Sequence, residues 1–260
     1  MKIAVCVKAV PDTETKIALA ADKKNIDFAG VRFIASPYDE FAIEEALKTK
    51  EKLGGDTTVF SLGGPECTDV LRDALARGID NAVHLTDADF AGLDTLSSAK
   101  VLAAAIKDGG YDLVFLGHTG SGGDNSQVPS MLAELLGWAQ TTMVVKFETD
   151  GTTFKAEREI EGAHEIVQGS LPALISAQKG LNEPRYPGIK GVMAARRKEI
   201  AVKDAAALGL KGTVGGANVK VKIKEMLMPP ERPQGMKIEG DADAQVKELV
   251  RLLRSEAHVL

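Results

Sequence analysis

Across residues 1–140, short apolar runs alternate with stretches whose apolar residues return every three or four positions. Ile3–Val7, Thr58–Leu62, Ala82–Leu85 and Asp112–Leu116 read as strands buried on both faces. Between them, Ala42, Ile43, Ala46 and Leu47 form one helical stripe, and Val70, Leu71, Ala74 and Leu75 a second. Leu96, Ala99, Leu102, Ala103 and Ile106 form a third, and Val128, Met131, Leu132, Leu135 and Leu136 a fourth. Gly55, Gly78 and Gly109-Gly110 fall where these helices should end. This alternation predicts an α/β fold: a doubly wound, mostly parallel sheet with helices on both faces, a Rossmann-like variant.

The pattern changes after residue 140. Val144–Phe147 and Phe154–Ile160 flank Asp150-Gly151, a hairpin signal, and Ala163–Gln168 and Ala173–Ser176 read as further short strands. Together they predict an antiparallel extension of the sheet. Turn formers over 182–188 precede a short helix over 189–195 and the basic run Arg196–Lys198. Residues 200–237, with Met228-Pro-Pro230 and Pro233, are weakly patterned and predict an extended arm with little core of its own. A last helix carries Val246, Leu249, Val250 and Leu253 on one face. The expected organisation is an α/β domain over residues 1–200 and a C-terminal arm over 201–260. Such an arm docks on its own core or on a partner chain.

The chemistry concentrates where the fourth strand ends. Gly117-His-Thr-Gly-Ser-Gly-Gly-Asp-Asn-Ser-Gln127 leads from that strand into the fourth helix. Glycines let the backbone approach a phosphate, and the first N–H groups of a helix lack internal partners and point at it. Asp124, Asn125 and Ser126 are candidate N-caps, and Pro129 fits a first turn. The stretch reads as the phosphate end of a nucleotide site, against the plainer reading of an ordinary βα loop. In a doubly wound sheet, ligands bind outside the carboxyl ends of the strands. Lys8–Thr13, Ser36–Asp39 and Ser61–Pro65 should lie on that edge too, with Pro37 and Pro65 opening helices. Neither Gly-x-x-x-x-Gly-Lys-Ser/Thr nor a Gly-x-Gly-x-x-Gly after the first strand occurs, which excludes P-loop ATPases and ordinary NAD folds.

A net charge of −5 argues against a general nucleic-acid binder. Cys6 and Cys67 cannot form a disulfide framework and belong to no metal-spaced cluster, so a cytoplasmic setting is expected and no metal. No stretch is long and apolar enough for a membrane span, and the chain opens on a strand rather than a signal peptide. Of the histidines, His84 reads as structural, His118 beside the loop as solvent-facing in preference to a ligand contact, and His164 as lacking a partner; His258 sits near the end of the sequence. No nucleophile has an evident base, and Cys6 reads as a buried, inert thiol.

Several segments resemble β subunits of electron-transfer flavoproteins. They are Val7-Lys8-x-Val10-Pro-Asp12, Pro37–Ala46, Asp124-x-x-Gln127, Glu157–Glu165, Leu181-Asn-Glu-Pro-Arg-Tyr186 and Gly191–Lys198. The resemblance runs in order over residues 1–200; the arm matches only in general character. It implies an adenine-nucleotide-binding α/β subunit of an αβ heterodimer. That heterodimer would carry electrons from acyl-CoA dehydrogenase-type flavoenzymes to a quinone-linked oxidoreductase or other acceptor, with the arm docked on the α subunit. By position, nucleotide contacts would fall at Cys6, at Ser36, Pro37, Tyr38 and Asp39, and near Leu62. The long loop adds Gly122, Gly123, Asp124, Asn125, Ser126, Gln127, Val128, Pro129, Ser130, Met131, Leu132 and Ala133. Residues 182–198 resemble the family's recognition loop, with Arg185, Tyr186, Met193 and the apolar anchor Ile189, while Glu159 matches a glutamate that meets the mobile α domain.

The resemblance leaves the nucleotide open between AMP and a second FAD, the latter as in NADH-linked, electron-bifurcating members. The AMP type reads Asp-Asp-Asp-x-Asn-Gln-Thr-Gly, and Gly123-Asp-Asn-Ser-Gln-Val128 stands closer to the bifurcating Gly-Asp-Thr-Ala-Gln-Val. Two fewer carboxylates lower the repulsion toward a diphosphate. Gly120-Ser121 and Pro129 fit neither type. A nucleotide-binding sensor of the universal-stress type is the rival outside electron transfer.

Overall fold

In the computed structural model, residues 1–232 and 234–260 are described; Pro233 lies outside them. The chain divides into two compact units, Met1–Lys224 and Glu225–Leu260. The first opens with β1 (Lys2–Val7), β2 (Ala9–Pro11), β3 (Phe33–Ala35) and α1 (Pro37–Leu53). Next come β4 (Asp56–Leu62), α2 (Cys67–Arg77), β5 (Asn81–Leu85), α3 (Thr95–Lys107), β6 (Leu113–Gly117) and α4 (Val128–Leu136). Then follow β7 (Ala139–Thr149), β8 (Thr153–Ile160), β9 (Ala163–Ser170), β10 (Ala173–Ala177), α5 (Ile189–Ala195) and β11 (Ile200–Lys203). The second unit carries α6 (Ala242–Ser255), whose N-cap Asp241 accepts the Ala244 N–H at 2.9 Å. Val246 and Leu249 on that helix are exposed.

β1 shows why this sequence builds two layers of helix on one sheet. Its side chains alternate between faces. Ile3, Val5 and Val7 pack with Ile43, Leu47, Val70 and Leu71 of α1 and α2. Ala4 and Cys6 pack with Val101 and Ile106 of α3 and Leu132 of α4. A strand covered on both sides has no polar face, hence its unbroken apolar run.

The main sheet has the order β11-β5-β4-β1-β6-β10-β7-β8-β9. From β1 the chain winds outward through β4 to β5, then crosses back and places β6 on the other flank of β1. The strand order therefore reverses between β1 and β6, the place where doubly wound folds hold ligands.

Two expectations need correction. Ala173–Ala177 is not part of an antiparallel extension: β10 runs parallel to both β6 and β7. Within the main sheet, among the described residues, only β7–β8 and β8–β9 pair antiparallel, the first pair across a turn in which Asp150 accepts the Thr152 and Thr153 N–H groups; the separate β2–β3 pair is antiparallel as well. Every residue of β10 is buried, the mark of a covered parallel strand. Residues 200–237 are not uniformly without core. β11 pairs parallel with β5, and Ala205 and Val214 are buried beneath the sheet.

Candidate functional site

The site is organised by one carboxylate. Pro37 opens α1 with its fixed φ, which sets Asp39 in the first turn, buried at the ends of β1 and β6. Asp39 Oδ2 accepts the Lys8 N–H at 2.8 Å, and Oδ1 accepts the Gly117 N–H at 2.7 Å. Burial pushes the Asp39 carboxyl up to about 7, against the lowering effect of these two donors and the Lys8 charge. A Cβ at Gly117 would stand 2.6 Å from Asp39 Oδ1, so only glycine admits this approach.

Beyond Gly117 the chain forms a tight loop. Asp124 N–H and Gly123 N–H return to the Gly120 carbonyl at 3.1 and 3.2 Å. Ser36 Oγ accepts the Ser121 N–H at 3.3 Å and donates to the Thr119 carbonyl at 3.4 Å. Lys8 Nζ donates to the Ser121 carbonyl at 3.3 Å, setting a cation beside the loop. Gly122, Asp124 and Ser126 all have left-handed φ, at 84°, 44° and 51°. These turns delay α4, which starts at Val128 behind Gln127 with no side-chain cap. Asp124, Asn125 and Ser126 are thus not its N-caps. Asp124 accepts the Gly122 N–H, Asn125 donates to Thr95 Oγ1 at 2.8 Å, and Ser126 Oγ meets His118 Nε2 at 3.3 Å. Likewise Pro65 precedes α2 by two residues, with Glu66 as the N-cap.

The β5–α3 connection supplies the opposite wall. Phe90, Gly92, Leu93, Asp94, Thr95 and Ser98 face Cys6, Lys8, Leu62, Leu116, His118 and the loop across a cavity of about 420 Å³. Asp94 caps α3 by accepting the Ser97 N–H at 2.9 Å. Burial raises its carboxyl, but bonds from Ser97, Lys220 and Val221 outweigh this and hold it well below the usual carboxylate range.

Of the expected nucleotide contacts, Cys6, Asp39, Leu62, Gly123, Asn125, Ser126, Gln127, Val128 and Pro129 line this cavity. Ser36 braces the loop from behind, and Tyr38 packs edge-on against His118 with ring centroids 6.2 Å apart. Pro37 begins α1, and Gly122, Asp124 and Ser130 are exposed away from the lining. Met131 is half-buried, while Leu132 and Ala133 are buried against the sheet. Sequence reasoning set Lys8 on this edge and weighed His118 as a ligand contact, but it missed the whole 90–98 wall. The readable signal was Asp94 before an apolar-periodic helix, since that cap must sit at the carboxyl edge.

The cavity has features that a bound nucleotide would satisfy. His118 Nδ1 and Thr119 Oγ1 are buried without a hydrogen-bond partner. The first N–H groups of α4 have no cap, so they are free for an anion. His118 is not solvent-facing as expected: burial first, then the Arg158 charge, lowers its pKa, favouring a neutral ring. His164 does have a partner, Glu157 Oε1 at 2.6 Å. Burial raises the Cys6 thiol and pushes Cys67 up to about 11, which leaves neither thiol reactive. Among the described residues no His, Cys, Asp or Glu group could hold a metal, and no helix is long and apolar enough to cross a membrane.

The second expected surface stands apart from the cavity. Tyr186 and Ile189 are 92% and 83% exposed, with Met193 beside them at 59%. The segment behind them is fixed. Arg185 is bound inward by Glu44 at 2.8 Å and Glu51 at 2.5 Å, and Asn182 donates to the Phe41 carbonyl and to Glu45. Glu159 accepts from Gln178 at 3.2 Å.

A doubly wound sheet with a cleft at its switch point defines a Rossmann-like α/β protein. The comparisons sharpen this. A family model described as the electron transfer flavoprotein domain matches residues 25–208. The electron transfer flavoprotein subunit beta of Bacillus subtilis is 41% identical over 261 residues, covering 100% of both chains. Its counterpart in Syntrophomonas wolfei is 37% identical over 100% of this chain and 98% of its own, and that of Mus musculus 36% over 97% and 99%. The chain belongs to the electron-transfer flavoprotein β-subunit family. The match extends through the C-terminal arm, which removes the universal-stress-type reading.

Proposed function

We propose that this chain holds an adenine nucleotide in the switch-point cavity and works as the β half of a heterodimeric electron carrier. The observation that carries the reading is the cavity itself. It combines an uncapped helix N-terminus, the Lys8 ammonium, and two buried polar atoms that lack partners. The α4 N-terminus and Lys8 would hold phosphate, His118 and Thr119 would meet a polar edge of the ligand, and Phe90, Leu93 and Leu102 would cover an apolar face.

FAD is the favoured occupant. The loop's single carboxylate, Asp124, is exposed and turned onto the Gly122 N–H, so it repels a diphosphate little. A flavin, when bound, supplies one- and two-electron chemistry; the chain's own residues bind and orient it. AMP is the second reading, favoured by a cavity of about 420 Å³, in the lower part of the usual range for ligand sites. Chromatography of cofactors released by acid from the purified αβ complex decides between them. Two FAD per heterodimer supports the first and one FAD with one AMP the second; no nucleotide in the β site would overturn both. NADH-driven reduction of the complex would place it with the bifurcating type.

The proposed donors are acyl-CoA dehydrogenase-type flavoenzymes, the proposed acceptor is quinone-linked, and the proposed setting is the cytoplasm, in keeping with two unpaired cysteines. Tyr186, Ile189 and Met193 form the face offered to the donor, an exposed apolar cluster ringed by charge. Glu159 is the proposed contact for the α subunit's mobile domain; of the arm, residues 201–221 are seated on this chain's own core, which leaves the unit Glu225–Leu260 as the part proposed to dock on that subunit.

A further inference from the structure

The cavity wall between β5 and α3 is tied along its length to the segment that follows β11. Asp87 Oδ2 accepts the Ala205 N–H at 3.0 Å, and Asp89 Oδ2 accepts the Gly212 N–H at 3.3 Å. Asp94 Oδ2 accepts the N–H groups of Lys220 and Val221. The two stretches also meet backbone to backbone: a Cβ on Gly215 would lie 2.1 Å from the Asp89 carbonyl oxygen. Val214 and Ala205 are buried, so the segment is seated on the core rather than laid over the surface.

Asp94 joins this seam to the cavity. Its Oδ1 caps α3 through Ser97, and its neighbours Thr95 and Ser98 line the cavity beside it. Thr95 Oγ1 in turn accepts the Asn125 side-chain N–H at 2.8 Å, which fixes the glycine loop opposite. One carboxylate thus connects residues 220–221, the start of α3 and, through Thr95, the nucleotide loop. We propose that Asp94 is a positioning residue for the nucleotide cavity, so that seating of residues 205–221 and occupancy of the cavity are coupled. The inference rests on the proposed nucleotide site and adds to it a residue that does not itself need to touch the ligand.

Coupling of this kind is reciprocal: if the clip tightens nucleotide binding, the nucleotide protects the clip by the same factor. The test uses the full-length chain with AMP and, in parallel, FAD as probes. Affinity is read by calorimetry and amide exchange is read at Lys220 and Val221. Saturating nucleotide is expected to slow exchange at both amides by about five-fold or more. Asp94→Ala should abolish that protection and weaken binding by a similar factor. A second variant leaves every cavity residue in place. Lys220→Pro removes one N–H donor, and the preceding Val219 already has the extended backbone that proline requires (φ −67°, ψ 139°). It too should weaken binding about five-fold. Nucleotide binding with unchanged exchange at 220–221, or Lys220→Pro with wild-type affinity, overturns the coupling and leaves the proposed site standing. Failure of the wild-type chain to bind either probe overturns the site, and the coupling with it.

Discussion

Asp39 accepts the Gly117 N–H at 2.7 Å while its other oxygen holds Lys8 at 2.8 Å. A single buried carboxylate thereby ties the first turn of α1 to the strand ends on both sides of the switch point. The alternatives for satisfying two buried N–H groups there are few, because Gly117 leaves no room for a side chain of its own.

Asp39→Asn keeps the shape but turns one acceptor into a donor, so one backbone N–H faces an NH₂ group. The expected cost is about 1–3 kcal/mol of stability, read by urea unfolding. The folded carboxyl titrates above its unfolded value, at about 7. Its contribution is therefore fully present below about pH 4 and is lost as pH rises through about 7. The variant should lack that slope. Equal slopes for both proteins between these limits would refute the assignment.

Asp94 has the opposite sign. Its folded carboxyl titrates below the unfolded value, so its stabilisation is present above about pH 4 and is lost as pH falls further. Asp94→Ala should lower stability by about 0.5–2 kcal/mol at neutral pH, and the gap should narrow on acidification. Thermal melts from neutral to strongly acid conditions check this; a gap of constant size would show that the carboxylate charge is not involved.

Arg185→Ala leaves Glu44, 6% exposed, without its guanidinium. We expect a loss of about 1–3 kcal/mol in chemical denaturation, with Arg185→Lys recovering only part because the fork at Glu44 and Glu51 needs more than one nitrogen. Full recovery by lysine would mean that charge alone matters.

Ile189→Ala removes an apolar side chain that is 83% exposed. Stability should change by less than about 0.5 kcal/mol. Electron transfer from an acyl-CoA dehydrogenase, followed by stopped-flow absorbance, should slow about ten-fold or more, as for an interface hot spot. An unaltered rate would remove the anchor role.

How much of this was legible in the residues varied with the kind of order involved. β1, β4, β5 and β6 are runs buried on both faces, and such runs announce themselves. β10 announced itself as a strand too, but an apolar run carries no record of its neighbours' direction, and its parallel pairing was missed. β11 is short, with Ala201 and Val202 exposed at the sheet's edge, so burial never imposed a pattern on it. The glycine loop was read correctly as a loop, yet three left-handed residues moved the start of α4 downstream, and no spacing rule foresees that. Phe90, Leu93 and Asp94 escaped notice because a wall folded from a connection follows neither the strand nor the helix period.

Gly191 lies against the carbonyl of Ala76, where even a methyl group would stand 2.2 Å from the oxygen. With Arg72 gripping the carbonyls of Ala195 and Lys198, α5 rests backbone-first on α2. Its outer residues are consequently relieved of any part in holding the helix. Ile189 and Met193 can be exchanged for other shapes while the platform under them keeps its pose, so if this ridge is the donor face proposed above, a change of partner needs only one short stretch to be repainted.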